Sequence, residues 1–93
     1  MYIEVLSVRL KDARVKSGFT QDEVSKETEI KRAMISAYEL GNAVPSVEKL
    51  GILAEFYGVS TDWLLGLARK KDNKYYYDDE MSIATEKKPS KIS

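Results

Sequence analysis

Lys31 and Arg32 stand together at the head of a short helical pattern. Ala33, Ser36 and Ala37 share their outward side, and Ile35 and Tyr38 take the other. Two cations at a helix start oppose the helix dipole, so they suit a phosphate-rich partner better than they suit the helix. The plainer alternative is a solvated helix start. This set can hold charge and donate hydrogen bonds, but it offers no group that moves a proton near neutral pH. The chain has no histidine and no cysteine. Their absence removes the commonest general base and transition-metal ligand, along with thiolate nucleophiles, thiolate metal sites and disulfides. Serines are scattered without a base, and no glycine-rich loop is placed to cradle phosphate. Carboxylates and lysines do not pair in a recognisable pocket. The residues argue for recognition rather than for an enzyme, with no metal and no cofactor.

The elements that must hold this face are short. Gly18, Gly41, Gly58 and Gly66 each close a stretch with helical spacing. Thr20 with Glu23 forms a capping box, while Ser46 after Pro45 and Ser60 before Thr61 supply further helix starts. Five helices are expected, near 4–17, 21–28, 32–40, 46–57 and 60–66. Their apolar positions share one period: Leu6, Leu10 and Ala13; Val24 and Thr28; Ile35 and Tyr38; Leu50, Leu53, Ala54 and Tyr57; Val59, Trp63 and Leu64. These are read as core. No alternating strand pattern of useful length competes, so the fold class is all-α.

Ninety-three residues suffice for one small domain. Its expected span is 1–67. Residues 68–93 change character, with Arg69-Lys70-Lys71, Tyr75-Tyr76-Tyr77, Asp78-Asp79-Glu80 and Glu86-Lys87-Lys88-Pro89. A flexible, charged and tyrosine-rich tail is the default reading. A docking segment for a protein partner is the sharper one. Fifteen Lys and Arg balance fifteen Asp and Glu, so no blanket attraction to nucleic acid or anionic membrane is expected. The apolar runs fall far short of the roughly 20 residues a bilayer requires, and no signal peptide opens the chain. A soluble, cytoplasmic module without a membrane role is expected.

Residues 20–41, TQDEVSKETEIKRAMISAYELG, place the basic pair in context. A short helix, a tight turn at Thr28-Glu29-Ile30 and a second short helix ending at Gly41 form a helix-turn-helix. Ser25 is small where the helices cross, and Ile30, Ile35 and Tyr38 fix the crossing from the core side. The outward side of the second helix then carries Lys31, Arg32, Ala33, Ser36 and Ala37. A helix projecting in this way suits the DNA major groove, roughly 12 Å wide.

Over residues 6–67 the chain resembles the Cro and phage-repressor-type, or Xre-like, helix-turn-helix family. The matches are Arg14, Gly18-Phe19-Thr20-Gln21, Val24, Ile35-Ser36, Tyr38-Glu39 with Gly41, Pro45-Ser46, and Gly58 through Leu65. The resemblance implies a five-helix lambda-repressor-like helix-turn-helix bundle that binds double-stranded DNA. It also implies that Gln21 meets a phosphate from a helix start and that Arg14 and Glu39 form a structural ion pair. Lys31, Arg32, Ala33, Ser36 and Ala37 match positions facing base edges and nearby phosphates. Arg32 suits guanine O6 and N7, Lys31 a phosphate, and an alanine the thymine methyl.

Departures from the family pattern are informative. Glu29 replaces the usual turn glycine, at about 1 kcal/mol if the position needs a positive φ. Lys31 replaces the usual cap of the third helix. Leu40, Asn42, Ala43 and Val44 fill a loop that is often basic. Residues 1–71 hold eleven Lys and Arg against ten Asp and Glu, a net of +1. So few phosphate contacts predict weak binding by one copy, and a homodimer through the fourth and fifth helix region is the expected remedy. Ile52 and Phe56 form an apolar pair where the family is polar, beside Gly51, which hints at a close contact. The pair is a candidate interface, or else lies under the tail or under Met1–Val5. The leading functional reading is a dimeric repressor at an operator. The alternative is an antitoxin or adaptor that uses the fold for protein–protein interaction.

Overall fold

The computed structural model describes residues 2–69. It contains α1 (Tyr2–Ser17), α2 (Gln21–Thr28), α3 (Arg32–Leu40), α4 (Val47–Tyr57) and α5 (Thr61–Leu64). Helix α1 packs against α3, α4 and α5, while α2 packs against α3 and α4. The core is continuous through Leu6, Leu10, Ala13, Val24, Ile30, Ile35, Tyr38, Leu53, Ala54, Val59, Trp63 and Leu64, all buried. Thr28, Leu50 and Tyr57, expected inside, are half-buried at its margin.

Local chemistry sets the helix ends. Thr20 Oγ1 accepts the Glu23 amide at 3.1 Å while Glu23 Oε1 accepts the Thr20 amide at 2.8 Å, closing both halves of the capping box. Ser46 and Ser60 accept the amides of Lys49 and Trp63 at 3.2 and 2.9 Å. Helix α5 is a single turn, shorter than the expected 60–66. Its backbone leaves the helix at Gly66, with φ +83°, and the Leu67 amide returns to the Asp62 carbonyl at 2.7 Å.

The apolar pair on α4 separates. Ile52 is exposed, but Phe56 is half-buried with its ring centroid 4.9 Å from that of Phe19. Phe56 is therefore covered by the α1–α2 turn, and its half of the expected interface is intramolecular packing. Within the chain, a Cβ at Gly51 would meet nothing within 4 Å, so no packing of the fold itself calls for glycine there. The tight glycine is Gly66, where a Cβ would lie 3.0 Å from Val5 Cγ1. Arg9, which the pattern does not single out, ties α1 to α5. Its guanidinium lies 4.8 Å from the Trp63 ring centroid and donates to the carbonyls of Trp63 and Ala68. Among the described residues, no helix is long and apolar enough to cross a membrane. The Tyr75–Glu80 patch lies outside the described residues.

Candidate nucleic-acid interface

The turn between α2 and α3 has few free choices. Thr28 Oγ1 donates to the Val24 carbonyl at 2.7 Å and accepts the Ile30 amide at 3.3 Å. Glu29 adopts φ 63°, a left-handed conformation, and its amide closes on the Ser25 carbonyl at 2.8 Å. Ile30 is buried in the core immediately afterwards. Lys31 then takes the N-cap position of α3 with no side-chain hydrogen bond to the helix, leaving its ammonium on the outside.

Ile35 and Tyr38 turn α3 inward, so the opposite side faces out. Lys31, Arg32 and Ala33 are exposed; Ser36 and Ala37 are half-buried. Gln21, Arg32, Ala33 and Ser36 line one shallow depression of about 290 Å³ between the start of α2 and the face of α3. Ala37 is not among its lining residues. The Ala37 carbonyl instead closes the helix end, accepting the Asn42 amide at 2.8 Å.

Behind the depression lies a polar clamp. Arg14 Nε and Nη2 donate to Glu39 Oε2 and Oε1 at 2.8 and 3.0 Å, and Nη1 donates to the Phe19 carbonyl at 2.9 Å. Gln21 Nε2 adds a third bond to Glu39 Oε1, at 3.1 Å. Hydrogen bonding to Glu39 holds Arg14 above its ordinary pKa, against the opposing effect of burial. The clamp joins α1, the start of α2 and α3. It therefore fixes the angle at which α3 stands and turns the Gln21 side chain inward, toward Glu39.

Two acidic neighbours qualify the electrostatics. Asp22 Oδ1 is 3.4 Å from Arg32 Nε, an ion pair with both side chains well exposed. Asp12 likewise lies 3.5 Å from Lys16, one turn along α1. The Asp22–Arg32 pair carries no sequence signal, because the nine intervening residues include a turn whose path sets the distance. In its first turn, α2 presents Asp22 and Glu23 beside the amides that would meet an anion.

A family model described as "Helix-turn-helix" matches residues 10–64. The chain belongs to the Cro/Xre-type helix-turn-helix family. Within that family, it is 43% identical over 61 residues to "HTH-type transcriptional regulator ImmR" of Bacillus subtilis strain 168, covering 66% of this chain and 48% of that protein. It is 33% identical over 66 residues to the uncharacterized HTH-type transcriptional regulator YobD of the same organism, covering 71% and 59% of the two chains. The chain thus spans about half the length of these helix-turn-helix relatives. Among solved structures, the S. venezulae BldD DNA-binding domain superposes with a TM-score of 0.62 at 30% identity, over 69% of this chain and 96% of that one.

Proposed function

We propose that this chain is a sequence-specific, DNA-binding transcriptional regulator, with residues 1–67 as the DNA-binding unit. Its simplest mode of action is repression by occupying an operator. The observation that carries the reading is the outward face of α3. Arg32, Ala33 and Ser36 share a surface depression with Gln21, and the Arg14–Glu39 clamp holds that helix from behind. On DNA, Arg32 reads guanine, Lys31 and the Gln21 backbone amide meet phosphates, and Ala33, Ser36 and Ala37 line the groove. This is binding without catalysis, in the cytoplasm, and it calls on no cofactor.

A homodimer through the α4–α5 region completes the proposal. Exposed Val47 and Ile52 on α4 and Leu67 after α5 supply apolar surface there. Two copies would read half-sites about one helical turn apart, roughly 34 Å. The test is selection of bound sequences from random duplex DNA, followed by salt titration on the winner. A selected, two-fold symmetric sequence is expected. No enrichment over background would overturn the reading.

A further inference from the structure

Arg32 is the first residue of α3 and is well exposed, with one carboxylate near its guanidinium. Asp22, on the neighbouring helix, approaches it from the Nε side at 3.4 Å. The contact is an ion pair without a hydrogen bond, and a carboxylate on the Nε side leaves Nη1 and Nη2 available as a fork, the pair of donors that matches guanine O6 and N7. Asp22 follows Gln21, so the carboxylate sits beside the depression that Gln21, Arg32, Ala33 and Ser36 line.

For stability alone this pair does little, since exposed ion pairs are screened by water and salt. For general DNA affinity it is unfavourable, because a carboxylate beside phosphates repels every sequence equally. One benefit offsets both effects. A carboxylate on one side biases the torsions of a long side chain, which then loses less freedom when it docks on a base, and that gain is realised only where the base accepts the fork. We propose that Asp22 is a specificity-determining positioning residue, which sacrifices general affinity to aim Arg32 at a guanine. The inference rests on the DNA-binding reading above and assigns a function to a residue outside the face of α3.

The experiment measures, for the full chain, dissociation constants on the selected duplex, on the same duplex with its guanines replaced singly, and on an unrelated duplex. Asp22→Ala should tighten binding to the unrelated duplex about threefold at low salt. It should also reduce discrimination at one guanine by about tenfold. Asp22→Glu should restore part of that discrimination, and in an Arg32→Ala background Asp22→Ala should leave it unchanged. Thermal melts of each variant establish that the fold is retained. Equal tightening on all duplexes, with discrimination intact, would make Asp22 mere repulsion and overturn the inference while the DNA-binding reading stands. A parent chain that selects no sequence would overturn both.

Discussion

Arg14 on α1 grips Glu39 on α3 with two parallel bonds, 2.8 Å from Nε to Oε2 and 3.0 Å from Nη2 to Oε1. The Glu39 side chain is only 4% exposed. The orientation of α3 thus depends on a shielded, bidentate charge pair as well as on Ile35 and Tyr38. A planar fork fixes an angle that a single ammonium cannot.

Breaking one side of this pair leaves the other charge shielded and without its partner. Glu39→Ala should lower the unfolding free energy by about 3 kcal/mol, with a fall in DNA affinity as α3 loosens. The double variant Arg14→Met/Glu39→Leu should lose less stability than Glu39→Ala alone, because no charge is stranded. Urea unfolding of parent, singles and double gives the coupling. A Glu39→Ala chain as stable as the parent would show that the clamp is not structural.

Glu29 holds φ 63° without being glycine. The left-handed region crowds a Cβ against the following backbone, while a glycine there is unstrained but more disordered when unfolded. The native-state relief should exceed the entropic loss, so Glu29→Gly is expected to gain about 0.5–1 kcal/mol in urea unfolding. A loss of stability would mean that the Glu29 side chain contributes something the backbone strain conceals.

The fold was readable where local chemistry decides it. The Thr20–Glu23 capping box, the serine caps and the spacing of Leu6, Leu10 and Ala13 are short-range features, and they fix the helices to within two or three residues. Contacts that depend on how helices turn toward each other were less accessible. The sequence pattern places Ile52 and Phe56 four residues apart on one helix, yet Phe19 covers only Phe56. Arg9 finds Trp63 across 54 positions, and no periodicity announces that partnership. On the α3 face, the helix period identifies the outward residues. Only the path through the turn brings Asp22 to Arg32.

Lys31 and Arg32 adjoin in sequence but should separate by experiment. Lys31→Ala should weaken binding to all duplexes alike and reduce the slope of log K against log salt by about 0.9. Arg32→Ala should cost about 1–3 kcal/mol on the selected sequence and much less on unrelated DNA. Filter binding or fluorescence anisotropy at several salt concentrations distinguishes the two. Uniform losses for Arg32→Ala would make it a phosphate contact.

Tyr57 provides a test of the packing behind the clamp. Burial pushes its hydroxyl well above the ordinary tyrosine value of 10.0; the Glu39 charge adds to the shift, while Arg14 opposes it. Above pH 10 the unfolded chain releases this proton while the folded chain retains it. The unfolded state then binds fewer protons, so stability must fall as pH rises, by at most about 1.4 kcal/mol per pH unit for one group. Below pH 9 both states are protonated and the contribution vanishes. Tyr38, raised by burial alone, acts in the same direction. Tyr57→Phe should therefore change stability little at pH 7 and flatten the decline between pH 10 and 11.5, with Tyr38 sustaining the remainder. Urea unfolding across that range measures the slope directly. An undiminished slope in Tyr57→Phe would place the Tyr57 hydroxyl in solvent rather than against the Arg14–Glu39 pair.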